Sequence, residues 1–162
     1  MKDKERPFLA LFYCHNITES GEEHRQSLER TYGASLRLFP MPCSGRVEPL
    51  HFLKALEEFA DAAYVITCPE GACRYFEGNT RARKRVERSR DVIAGIGLER
   101  ERIGIRALNP DSQDTLSSVT KDIMREISGL APSPVFGKRG KDGKGERVFE
   151  SPLLSCPVSR DT

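Results

Sequence analysis

The chain is expected to fold as a single small α/β domain: a four-stranded parallel sheet with helices on both faces, flavodoxin-like or thioredoxin-sized, followed by a flexible C-terminal tail. Three observations predict it. Apolar runs of strand length alternate with segments of helical periodicity, in the order β-α-β-α-β-α-β-α. Strict alternation favours right-handed crossovers and a parallel sheet covered on both sides. The 162 residues suffice for one domain with a normal core and are too few for two.

Each element has its own signature. Phe8–Cys14 is continuously apolar, as a strand buried on both faces should be. A helix is expected near Ser20, where Ser20-Gly-Glu-Glu23 matches a capping box, ending at Gly33. Leu28 and Tyr32 are its only clear core positions. Leu36–Pro42 reads as a short strand that Pro40 confines to an edge or ends early. Pro49 pre-sets the first turn of a helix over 49–60, whose Leu50, Leu53, Ala55, Leu56 and Phe59 recur at helical spacing. Ala63–Thr67 is the third strand. A long helix from about Cys73 to Ile96 carries Arg74, Arg81, Arg83, Lys84, Arg85, Arg88 and Arg90 outward, with Ala82, Val86, Ile93 and Ile96 inward. Arg102–Leu108 is the fourth strand, stopped by Asn109-Pro110. Leu116, Val119, Ile123, Ile127 and Leu130 mark the last and most regular helix.

Residues 1–130 form the domain and 131–162 the tail. Pro, Gly and charges without period make 131–147 a flexible linker, and Val148–Leu154 a short docking segment or an ordinary disordered end. The tail holds six of the 26 basic and four of the 24 acidic residues, so the net charge of +2 belongs to it and the body is neutral. That balance, with no aromatics interleaved in the basic helix, argues against nucleic acid as a partner. The basic helix is instead a solvated face, or one that steers an acidic partner. The longest apolar run, Phe8–Cys14, is far too short to span a membrane, and no cleavage site follows it. A cytoplasmic protein is expected.

The five cysteines carry the chemistry. An odd count in a cytoplasmic chain favours metal binding or thiol chemistry over a disulfide framework. Cys14, Cys43 and Cys68 each follow a strand, and Cys73 comes one turn later. A parallel sheet brings those strand ends to one edge, where open α/β folds place functional groups. Four converging thiolates suit an iron–sulfur cluster or tetrahedral zinc. Zinc sites usually use Cys-x2-Cys pairs, which this chain lacks. Its Cys68-x4-Cys73 is closer to the first pair of plant-type [2Fe–2S] ferredoxins.

Gly45 and Gly71 would let backbone N–H groups approach the sulfurs, and Ser44-Gly45 offers a nest for an anion. Cys73 at a helix start would be favoured as a thiolate. Cysteine is also a common core filler, the reading that suits Cys156. His15 reads as a solvated loop residue. No Gly-x-Gly-x-x-Gly follows a strand, and no serine–histidine–acid set stands out. The alternatives are a zinc-stabilised interaction module on the same cysteines, or a thiol redox sensor that cycles Cys68 and Cys73.

Met41-Pro-Cys43-Ser-Gly-Arg46-Val-Glu-Pro49 and Cys68-Pro-Glu-Gly-Ala-Cys73-Arg-Tyr-Phe-Glu-Gly78-Asn79 resemble the delta subunit of methyl-viologen-reducing hydrogenase, the hydrogenase iron–sulfur subunit family, over about residues 8–130. The resemblance implies a [2Fe–2S] electron-transfer subunit rather than an enzyme with its own substrate. Cys14, Cys43, Cys68 and Cys73 match family cysteines. Such subunits pass electrons between a hydrogenase or formate dehydrogenase and a heterodisulfide-reductase-A-like flavoprotein, within stable bifurcating hetero-oligomers. Related domains serve quinone-interacting oxidoreductases, methylene-tetrahydrofolate reductases and the large benzoyl-CoA reductase complex. Two positions depart from the family pattern. Members usually begin with Cys-x-x-Cys, whereas Ile17 stands here, and Arg74 stands where histidine is common.

Overall fold

The structure, a computed structural model, describes residues 6–135. Most of the expected linker, the segment Val148–Leu154 and Cys156 lie outside the described residues. Four strands, β1 (Leu9–Cys14), β2 (Leu36–Met41), β3 (Ala62–Thr67) and β4 (Ile103–Ala107), pair in parallel in the order β2-β1-β3-β4. The central strands β1 and β3 are buried at every position, which is why both are continuous apolar runs. β2 alternates, and Pro40 is exposed on this edge strand, where a missing N–H is tolerated.

Helices α1 (Glu22–Tyr32), α2 (Pro49–Glu58), α3 (Gly78–Gly95) and α4 (Leu116–Ile127) complete the alternation. Successive strand residues point to opposite faces, so β1 serves two cores. Leu9 and Leu11 pack with Leu28 of α1 and Leu116, Ile123 and Ile127 of α4. Ala10 and Phe12 pack with Phe52 and Leu56 of α2 and Val86 and Ile93 of α3. No helix of the described residues is long and apolar enough to cross a membrane.

Two helix starts differ from expectation. α1 is preceded by Gly21, which makes no side-chain cap, because the Ser20 hydroxyl donates to the His15 carbonyl at 2.6 Å. α3 begins at Gly78 and not at Cys73. The intervening backbone wraps the Cys73 sulfur and carries Phe76 at φ 61°, outside helical space. α2 begins at Pro49 as expected, with Glu48 and His51 capping reciprocally. Thr115 and Ser118 do the same for α4.

At the amino ends of the strands, Arg102 is only 1% exposed. It donates to the carbonyls of Asp61 at 3.0 Å and Ala131 at 2.9 Å, and pairs with Glu99 at 2.6 Å. The Asp61 carboxylate accepts from Phe8 N–H at 2.9 Å and Ser133 N–H at 2.8 Å. Ala131 and Ser133, the first residues of the segment expected as linker, are thereby held to the domain. The opposite, carboxyl edge of the sheet carries the cysteines.

Candidate metal centre

The chain leaves β1 toward β2 on one side and finds β3 on the other, so the topological switch point lies between β1 and β3. Cys14 ends β1 and Cys68 directly follows β3. Parallel register, with Tyr13 opposite Ile66, brings the two together. Their sulfurs lie 3.4 Å apart and both residues are buried. Asn16 donates to the Cys14 sulfur from its backbone N–H at 3.5 Å and from Nδ2 at 3.6 Å.

The second pair is built by loops. Cys43 precedes a 3-10 turn over Ser44–Arg46, and Gly45 N–H donates to its sulfur at 3.4 Å. Cys73 is partly exposed, hydrogen-bonds to Cys43, and receives the backbone N–H groups of Tyr75, Gly78 and Asn79. The sulfur thus meets the N-terminus of α3 although its residue lies outside the helix. Such donors stabilise a thiolate.

Charge follows from these surroundings. Burial, with the hydrogen bond to Cys14 added, pushes the Cys68 thiol up to about 12. Burial also raises Cys43, against the lowering effect of Gly45 N–H. Burial acts the same way on Cys73, but its three backbone donors outweigh it and lower the thiol. Burial thus opposes ionisation of Cys68, and the backbone donors favour it at Cys73.

Gly78 explains how close the second pair is. A Cβ there would fall under 3.0 Å from the sulfurs of both Cys43 and Cys73. A Cβ on Gly45 would lie 2.7 Å from Gly78 Cα, so the two glycines let loop and helix meet backbone to backbone. Asn79 Nδ2 donates to the carbonyls of Cys68 at 3.4 Å and Pro69 at 3.2 Å, fixing the intervening turn. Arg85 of α3 reaches the carbonyls of Gly45 and Val47, the latter at 2.8 Å, and pairs with Glu48 at 3.0 Å. It clamps the Cys43 loop to the helix.

The other expected site residues are placed as follows. Ser44 is buried in the 3-10 turn, but the donor to sulfur is Gly45 N–H. Gly71 sits at φ 79° with open space around it, a turn position with no hydrogen bond to sulfur among the described residues. His15 is exposed, its N–H bonded to the Met41 carbonyl at 2.8 Å. Gly78, Asn79 and Arg85 do more for the site than periodicity revealed. The Gly-Asn pair interrupting a charged helical pattern was the available signal for the first two. A cavity of about 200 Å³ opens over Cys43 and Gly78, rimmed by Arg46, Tyr75 and Arg81.

Residues 9–131 match the family model described as methyl-viologen-reducing hydrogenase, delta subunit. The chain belongs to that family. It is 28% identical over 141 residues to the D-type iron-sulfur subunit of an F420-non-reducing hydrogenase from Methanococcus voltae, covering 87% of this chain and 98% of the relative. The corresponding protein of Archaeoglobus profundus is 28% identical over 132 residues, 82% of this chain and 96% of the relative. The chain is also 27% identical over 126 residues to the A-type subunit of a CoB-CoM heterodisulfide reductase from Methanosarcina acetivorans. That match covers 78% of this chain and 16% of the longer protein. In this member of the delta-subunit family Ile17 is buried in the core with Cys14 and Leu116.

Proposed function

We propose that the chain is the electron-transfer subunit of a multi-subunit oxidoreductase and holds a [2Fe–2S] cluster on Cys14, Cys43, Cys68 and Cys73. The observation that carries this reading is the gathering of four cysteines as two pairs at the switch point. A binuclear cluster takes two thiolates per iron, which two pairs suit. A single zinc ion would instead draw the same four cysteines into one tetrahedral set. Such a cluster accepts and releases one electron. The chain's own part is to supply thiolates, donate N–H groups to them from Asn16, Gly45, Tyr75, Gly78 and Asn79, and exclude water around Cys14 and Cys68. Hydrogen bonds to sulfur and burial tune cluster potential.

The proposed partners are a heterodisulfide-reductase-A-like flavoprotein and a hydrogenase, formate dehydrogenase or other redox subunit, in a stable hetero-oligomer. Relatives named iron-sulfur subunits of hydrogenases support the second, and the homologous stretch within a longer heterodisulfide reductase protein supports the first. The 3.4 Å approach of Cys14 and Cys68 also suits a thiol switch, the competing reading. Electron paramagnetic resonance separates them. The anaerobically purified full chain, reduced by one electron, should show the signal of a reduced [2Fe–2S] centre. A silent spectrum with a Cys14–Cys68 disulfide formed on oxidation would overturn the cluster.

A further inference from the structure

Phe76 is 91% exposed and sits at φ 61°. That left-handed conformation strains a phenylalanine, and glycine or asparagine would carry it more easily. The turn itself has a clear cause. Tyr75, Gly78 and Asn79 aim their N–H groups at the Cys73 sulfur, and Phe76 N–H bonds the Cys73 carbonyl at 3.0 Å. The cause requires the backbone and makes no use of the ring. A side chain so exposed adds almost nothing to this chain's own packing.

Tyr75 and Arg46 line the cavity over Cys43, and Phe76 lines another with Glu70, Asn79 and Arg83. Tyr75 is 55% exposed beside Phe76, and Leu50, also exposed, opens α2 at the same edge. Arg46 rims the cavity over Cys43, and Arg74 follows Cys73 directly. Neither has an ion-pair partner among the described residues, whereas Arg81, Arg83 and Arg85 each have one. Cys73 is the one described cysteine that is not buried.

We propose that the exposed Tyr75–Phe76 pair, with Arg46 beside Tyr75 and Arg74 preceding it in the chain, is the docking face for the flavoprotein partner, and that this partner presents an apolar recess ringed by carboxylates. The proposal rests on the electron-transfer reading above. Large aromatics that enter a desolvated pocket dominate interface energies. Unpaired arginines around them set encounter rate and partner choice. Two other occupants are opposed by charge. A second copy would bring Arg46 and Arg74 against their own kind across a two-fold. The chain's own residues 136–162 carry six basic and four acidic side chains, the same sign as the face.

The test uses the full-length chain and the purified heterodisulfide-reductase-A-like flavoprotein of the same organism. Phe76→Gly should weaken binding about tenfold or more. Its thermal midpoint should not fall, because strain is relieved, and its iron content and visible spectrum should match wild type. Arg46→Glu with Arg74→Glu should weaken binding and flatten its salt dependence. Ile96→Gly, at a residue expected to face inward but 71% exposed at the C-terminal end of α3, should leave binding unchanged. The proposal is overturned if Phe76→Gly changes affinity by less than about twofold, if Ile96→Gly weakens it equally, if wild type does not bind the flavoprotein, or if Phe76→Gly instead dissolves a dimer of the chain. Iron-free protein whose binding still fails on Phe76→Gly removes the cluster and keeps the face. Iron-loaded protein with unaltered binding removes the face and keeps the cluster.

Discussion

The sulfurs of Cys14 and Cys68 lie 3.4 Å apart, although 54 residues separate them in the chain. Parallel pairing of β1 with β3 makes that contact, since each strand delivers its last residues to the same edge. Cys43 and Cys73 meet through loops instead. The site therefore depends on two kinds of structure: sheet register for one pair, and glycine-mediated loop packing for the other.

Substituting any one of Cys14, Cys43, Cys68 or Cys73 by serine should remove more than half of the bound iron. Cys156→Ser should leave it unchanged. Iron analysis on anaerobically purified variants checks this. Full iron in Cys14→Ser would show that the β1 cysteine is only a core residue.

Gly78 and Gly71 should respond in opposite ways. Gly78→Ala places a methyl group against two sulfurs, and overpacking of that kind destabilises by about 1–3 kcal/mol. Iron should be lost with it. Gly71→Ala meets no neighbour and strains only the turn, at about 1 kcal/mol, with iron retained. Thermal midpoints and iron content, measured together, separate the two.

In the metal-free chain, stability should fall in alkali. Burial pushes Cys68 and Tyr13 up to about 12, from ordinary values of 9.0 and 10.0. The folded state then keeps protons that the unfolded chain releases. The stabilisation is complete below the ordinary values and is lost as pH climbs through about 12. Urea midpoints should drop steadily from pH 9.0 upward, and a flat profile would contradict this. At neutral pH, iodoacetamide should modify Cys73 first, since its thiol is lowered and partly exposed, while Cys68 stays inert until unfolding.

Asp61→Ala should act on the other end of the molecule. It strands the buried N–H of Ser133, and a buried donor left unpaired costs about 1–3 kcal/mol. Amide exchange at Ser133 should accelerate while iron content stays at wild-type level. Unchanged exchange would mean that Arg102 alone holds this segment.

Much of this was legible beforehand. Two-sided burial of β1 and β3, the edge position of Pro40 and the start of α2 at Pro49 all follow from local chemistry, and the structure shows each. Convergence of strand ends needed only the parallel topology. What periodicity could not show was anything set by tertiary contact. Ser20 has the right spacing for a cap, but its hydroxyl is taken by the His15 carbonyl. The charged pattern from Cys73 looks helical, yet three N–H groups turn to a sulfur and delay the helix to Gly78. Arg85 reads as a solvated cation and instead holds two loop carbonyls. Gly71 and Gly78 differ only in what stands beside them.

The central claim is tested most directly by counting iron, acid-labile sulfide and zinc in the full chain purified without oxygen. The account predicts about two iron and about two sulfide per chain, with no stoichiometric zinc. About one zinc per chain, with neither iron nor sulfide, would contradict it.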